Sequence, residues 1–214
     1  MRRSAAVVAG LFALLISGRS AAGEARVVDM VLGEVGTAPV TLSEVALARS
    51  LGVLGLVPTT GPITDAELTR YLDAQLAVRE AIQLAIDVPA VDVDRAWESA
   101  GGAALGARLD AVGVDRAWAR RLLETNLRVE RFLDLRFRDF AFVTDLDVDE
   151  ALGPGQHDEA ERSSARERLR SEIVARAFST WQEDARQRVP IRRVTGVTGP
   201  WPAPFSLDLR ARAK

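Results

Sequence analysis

The residues best equipped for chemistry in this sequence are few and lie close together. Asp145, Asp147, Asp149 and Glu150 fall in the run TDLDVDE, and the single histidine, His157, follows in GPGQHDEA. Clustered carboxylates could offer oxygen ligands to a hard cation such as calcium. A calcium loop needs a central glycine and a terminal glutamate at fixed spacing, and this run, with Leu146 and Val148 between its acids, has neither. It reads instead as the first turn of a helix, where the positive end of the helix dipole favours carboxylates. His157 could share a metal only with its neighbours Asp158, Glu159 and Glu161, and its polar surroundings are those of an exposed linker residue. No activated-serine motif accompanies it, so a Ser–His–Asp arrangement is not supported. Cysteine is absent, which removes disulfides, thiolate nucleophiles and cysteine-based metal sites. The glycine clusters match neither a phosphate-binding loop nor a dinucleotide fingerprint. The expectation is a chain with no catalytic, metal-ligating or cofactor-binding residues.

Binding then becomes the question, and charge narrows it. The chain opens MRRSAAVVAGLFALLISGRSAAG: two arginines, an apolar run from Ala5 to Ile16, then small residues. That is the order of a secretory signal peptide, too short and wrongly flanked for a spanning helix. Residues 1–22 are expected to be removed on export, with a cut after Ala25 as the alternative. No later stretch reaches the length of a membrane span. Removing Arg2, Arg3 and Arg19 and no acid takes the balance from 28 basic and 30 acidic residues to 25 and 30, a net charge of −5. A mildly acidic exported chain is a poor candidate for nucleic acid. No aromatic–basic alternation supports base stacking either.

The elements that would position a binding surface are mostly helices. The stretch Val114 to Phe142 repeats Trp118, Leu122, Val129, Leu133, Phe137 and Phe140 at helical intervals, with one longer step across Thr125 and Asn126. Leu123, Leu127 and Phe132 widen the stripe, and arginines and glutamates fill the other side. With Asp115 as N-cap, this predicts a helix of about 24 residues, roughly 36 Å long. A second long helix is predicted from about Asp158 to Pro190, with Leu169, Ile173, Ala177, Trp181 and Ala185 as its apolar line. Each stripe is costly to leave wet, so the two are expected to cover one another, bringing the Trp118 and Trp181 faces together.

Shorter elements fill the rest. Arg26–Leu32 is β-branched and reads as one arm of a small hairpin, joined through the longer connection GEVGTA to Pro39-Val40. Thr41–Glu44 and Thr64–Glu67 are capping boxes, heading helices that end near Gly52 and before Pro89. A short helix beginning at Asp92 or Asp94 carries Trp97, and Gly101-Gly102 separates it from a piece bearing Leu105 and Leu109. Ile191–Val194 could return as a strand to the hairpin. Residues 195–214 form a proline- and glycine-containing tail in which Trp201 and Phe205 could dock. The fold class is mainly α, with a small N-terminal β-hairpin and a returning C-terminal strand.

In that order the elements resemble the SurA-like periplasmic chaperones. RVVDMVLGEVGTAPVTLSEV is similar to the family's opening hairpin and first helix. TNLRVERFLDLRFRDFAFVTDLDVDEAL looks like its long helix and the helix start beyond it, and SSARERLRSEIVARAFSTWQEDARQRVPIRRV like the helix and strand that return to the N-terminal module. The resemblance implies one peptide-binding domain over residues 26–194, related to the trigger-factor type. It also implies ATP-independent capture of extended apolar segments of unfolded envelope or outer-membrane proteins in the periplasm. Relatives often insert a parvulin prolyl-isomerase domain between the long and returning helices. Here only a short acidic element separates them, so isomerase activity is not expected. Trp97, Leu105 and Leu109, on short glycine-interrupted helices, are the candidate peptide-binding residues. The alternative is a non-catalytic envelope assembly subunit that binds one dedicated folded partner.

Overall fold

A computed structural model describes residues 29–194 and 199–201. The expected signal peptide, the first residues of the predicted opening strand, and the tail from Pro202 with Phe205 lie outside these residues. Two strands come first, β1 (Val31–Val35) and β2 (Ala38–Thr41), followed by α1 (Leu42–Leu51), α2 (Asp65–Gln83), α3 (Ala90–Ser99) and α4 (Gly102–Ala111). Then come α5 (Arg116–Leu133), a π turn (Asp134–Arg138), α6 (Asp145–Leu152), α7 (Glu159–Arg188) and β3 (Ile191–Arg193). The class is mainly helical with one three-stranded antiparallel sheet in the order β2-β1-β3. Strand β3 returns to β1, with Val35 opposite Ile191 and Gly33 opposite Arg193.

The hairpin departs from its sequence reading. Its strand continues through Gly33 to Val35, so the connection shrinks to Gly36 and Thr37. Gly36 takes φ +65°, the positive angle that two-residue hairpin turns demand and glycine supplies without strain. Gly33, the first residue of the expected connection, instead lies inside the strand, where β3 passes too close for a side chain. A Cβ there would stand 2.8 Å from the Arg192 carbonyl oxygen.

Helix starts follow their caps. The Thr41 hydroxyl accepts from the Glu44 N–H, and Asp115 accepts from the Ala117 N–H. Complete capping boxes head α2 at Thr64/Glu67, α6 at Thr144/Asp147 and α7 at Asp158/Glu161. Each satisfies backbone donors that the first turn leaves free. Helix α3 begins before either predicted aspartate, at Ala90, behind Pro89; proline suits this place because its missing N–H is one that the first turn would leave unpaired anyway.

Packing corrects the expected pairing of the two long helices. Helix α2 is central and packs on α5, β1, α7 and α1, burying Leu68, Tyr71, Leu72, Leu76, Ala77 and Ala81. Helix α5 is covered mainly by α2 and α3, while α7 meets the π turn and α2. Trp118 is only half-buried and takes no part in the aromatic contacts of Trp181. Fourteen positions, about 21 Å of helix, separate it from Phe132, which does touch Trp181. The longer step at Asn126 also has a structural use. Its Oδ1 accepts from the Leu54 N–H at 2.9 Å, tying the left-handed residue that follows α1 to α5.

Beyond the core, α6 packs chiefly on α7. Val148 and Ala165 are buried between them. Of the apolar line predicted for α7, Trp181 and Ala185 are buried, whereas Ile173 and Ala177 are exposed. No helix among the described residues is long and apolar enough to cross a membrane.

Candidate functional site: an aromatic-floored apolar groove

Three of the four acids singled out in the sequence, Asp145, Asp147 and Asp149, serve the fold. Asp147 caps α6, and the Thr144 hydroxyl and main-chain donors hold its carboxyl below the usual range. Asp145 pairs with Arg166 and Arg162, and Asp149 with Arg162, so these acids tie α6 to α7. His157 lies 3.2 Å from the Gly153 carbonyl oxygen and 3.4 Å from Glu161. Among the described residues no group of three or more histidines or acids is arranged to hold a metal ion.

Two buried polar groups also have structural partners. Arg49, only 3% exposed, donates to the carbonyls of Gly61 and Pro62 and lies 3.6 Å from Glu67. Burial opposes the ionised Glu67, but the Thr64 donors and Arg49 outweigh it and lower its pKa. The Tyr71 hydroxyl donates to Glu44 at 2.7 Å. Burial raises the Glu44 pKa despite that hydrogen bond, and raises the Tyr71 pKa well above the usual tyrosine value.

The candidate peptide-binding residues from the sequence are in the core. Leu105 and Leu109 are completely buried, and Trp97 is 8% exposed with the Arg120 guanidinium 5.4 Å above its ring. The Gly101-Gly102 pair makes a tight corner, with φ +120° and +51°. That corner folds α4 back against α3 and α5. A break in helical periodicity here marks closer packing rather than an opening.

The open apolar surface lies elsewhere, where α2 ends before α5 and α7 do. Phe132, Phe137, Phe178 and Trp181 form one aromatic cluster. Phe178 stacks on Trp181 at 5.5 Å between centroids, with Phe132 at 5.1 Å and Phe137 at 6.2 Å from the indole. Helix α2 stops at Gln83 and the chain turns through Ala85 at φ +51°. Leu84 and Ile86 are thereby placed beside the cluster, along a groove of about 710 Å³. Across from them the π turn delivers Leu135, and the residues after it deliver Phe140. These rim side chains are large and wet: Leu84 is 53% exposed, Leu135 57% and Phe140 70%. Arg136, Thr180 and Asp184 supply the polar edge.

The π turn decides which residues reach the groove. The Asp139 N–H donates to the Asp134 carbonyl, an i to i+5 bond. It inserts one extra residue into the turn and rotates everything beyond it relative to an α-helix. Phe140, placed on the core stripe by an unbroken helical period, is carried out to the rim. Phe142 is likewise exposed.

No protein-family model and no curated protein sequence matches the chain. The reading of the groove therefore rests on its own chemistry. An aromatic floor with aliphatic walls offers apolar contact along a trough, and with few polar groups it has little means of selecting one side-chain sequence over another.

Proposed function

We propose that this protein is a periplasmic, ATP-independent chaperone that holds extended apolar segments of unfolded envelope or outer-membrane proteins in the groove floored by Trp181. The observation that carries the reading is the open rim of Leu84, Leu135 and Phe140 over a packed aromatic cluster. Contiguous apolar surface that stays wet in a folded chain marks an interaction site. The resemblance of the hairpin, long helix and returning helix to SurA-like chaperones supports the same assignment, as does the leader-like N-terminus. Each apolar client side chain covered there contributes about 1.5–3 kcal/mol at most. Association costs several kcal/mol of lost freedom, so a few such contacts give reversible holding. That suits protection from aggregation and later release without an energy source.

The test is light scattering from a denatured outer-membrane protein diluted into buffer with stoichiometric amounts of this protein. Suppressed scattering is expected. Scattering equal to that of the client alone would defeat the chaperone assignment for such clients.

A further inference from the structure

The three-stranded sheet has two edges, β2 on one side and β3 on the other, and they are not alike. In an antiparallel pair alternate residues turn their N–H and C=O groups toward the partner, and the residues between turn theirs away. The Gly36 N–H donates to the Pro190 carbonyl and the Val194 N–H to the Leu32 carbonyl, so Pro190, Arg192 and Val194 face β1. Ile191 and Arg193 therefore turn their main-chain groups outward, and no described residue pairs with those groups. On the other edge, Gly33 and Val35 are left to bond β2, so their partners Val40 and Ala38 face inward and Pro39 faces out. Proline has no N–H to give, which guards that edge against a further strand.

Strand β3 has no such block. Arg192, Arg193 and Val194 are exposed, Ile191 is half-buried, and β1 is the element β3 chiefly packs against. The Arg193 guanidinium is taken up by Asp65 and Thr69. The Arg192 side chain makes no hydrogen bond or ion pair among the described residues.

The outward groups of β3 are main-chain groups, and an extended chain offers matching N–H and C=O groups at the strand's own repeat. Charge decides which extended chain. A second copy of β3 that used all four outward groups would lie antiparallel about Arg192. It would set the two Arg192 side chains directly opposite one another, where like charges destabilise. An acid in that place would be attracted instead. We infer that β3 takes an added antiparallel strand from the client, with an acidic client residue opposite Arg192 and main-chain bonds to Ile191 and Arg193. The inference rests on the chaperone reading above and adds a contact of a different kind: the groove covers client side chains, and the edge holds client backbone. An edge of three residues makes this contact weak and reversible by itself.

NMR on the whole protein tests it, with a short soluble peptide of alternating valine and threonine and a central aspartate as the probe. Without peptide, the Ile191 and Arg193 amides should exchange rapidly, while those of Arg192 and Val194 are protected. With the peptide, the Ile191 and Arg193 signals should shift downfield and their exchange should slow. A peptide with lysine in place of the aspartate should bind about three- to tenfold more weakly. Arg192→Gln should abolish that difference and Arg192→Glu should reverse it, with the Val194 amide still protected as the sign that β3 stays paired. Protection of Ile191 and Arg193 before peptide is added, shifts confined to Leu84 and Leu135, or a charge preference unchanged in both variants would overturn the inference. Suppressed light scattering without the edge shifts would sink this inference alone, and edge shifts without suppression would sink the chaperone assignment alone.

Discussion

Replacing Leu135 and Phe140 together with serine should separate holding of clients from stability of the fold. Phe140 is 70% exposed and Leu135 57%, so neither supports the core, and surface changes of this kind alter stability by about 0.5 kcal/mol or less. Their value to a client follows from area. A phenylalanine side chain has roughly 200 Å² to bury, of which about 140 Å² is still wet in Phe140. At about 25 cal/mol per Å², complete cover would contribute about 3.5 kcal/mol. A segment lying in an open trough covers roughly half of that area and gains about 1.5–2 kcal/mol. Leu135 contributes slightly less by the same reckoning. The double variant should therefore bind about a hundredfold more weakly, at 1.4 kcal/mol per tenfold, if the two contacts add. Fluorescence anisotropy of a labelled, unfolded outer-membrane segment measures the Kd, and a urea titration measures stability. An unchanged Kd with an unchanged urea midpoint would refute the placement of clients in this groove. A large loss of stability would instead refute the claim that the rim is free of the core.

Three further outcomes are expected. Gly33→Ala would bring a Cβ to 2.8 Å from the Arg192 carbonyl oxygen, and overpacking of this kind costs about 1–3 kcal/mol; hydrogen exchange should speed up at the Val194 amide, which donates to Leu32 across the β1–β3 pair, and unchanged protection would count against that pairing. Arg49→Met strips the Gly61 and Pro62 carbonyls of their donors and Glu67 of its cation, so a loss of about 2–4 kcal/mol is expected in urea unfolding, and a loss below 1 kcal/mol would show that water replaces the guanidinium at no cost. Glu44 has a raised carboxyl pKa because burial disfavours its charge, so the stability it contributes is present below the unfolded carboxyl pKa and lost as pH rises through the folded value. Glu44→Gln keeps an acceptor for Tyr71 without that charge, so its urea midpoint should gain on the parent at pH about 7 and lose the gain near pH about 4; a difference that does not vary with pH would show that Glu44 titrates as in the unfolded chain.

How much of this was legible in the sequence depends on whether the cause is local. The capping box at Thr64 locates the start of α2 because a side chain and a backbone N–H three residues on settle the matter between them. The return of β3 was suggested because Pro190 stops α7 and the short segment Ile191–Val194 follows it. Packing partners were not legible, since a stripe states that a helix must be covered and not by what. Helix α5 is covered by α2 and α3, so Trp118 and Trp181 never meet. The groove residues were missed for a related reason. Leu105 and Leu109 lie on a short helix beside glycines, which suggested an opening, whereas the glycines allow the corner that buries them. Phe140 has the spacing of a core residue, and the π turn at Asp134–Arg138 removes it from the core. A weak signal was present: Leu135, Phe137, Phe140 and Phe142 are more apolar residues than one face of one helix can bury.

The groove and the mismatch of helix lengths have one origin. Helix α7 runs for 30 residues, but α2, one of its main supports, for 19. Where α2 stops, the aromatic cluster has a floor and no complete roof. A chain under selection for stability alone could close this gap cheaply, because polar residues at Leu135 and Phe140 would leave the buried rings of Phe132 and Trp181 untouched. Instead the π turn swings two further large apolar side chains to the edge of the gap. Keeping them wet risks self-association, and the acidic balance expected of the processed chain opposes that by mutual repulsion between copies. An unfolded client exposes apolar side chains along its whole length and can cover the gap in any of several registers. A folded partner would have to match one fixed arrangement, for which the few polar groups at the rim provide little guidance. The same openness that makes the groove unselective therefore favours the unfolded chain as its occupant.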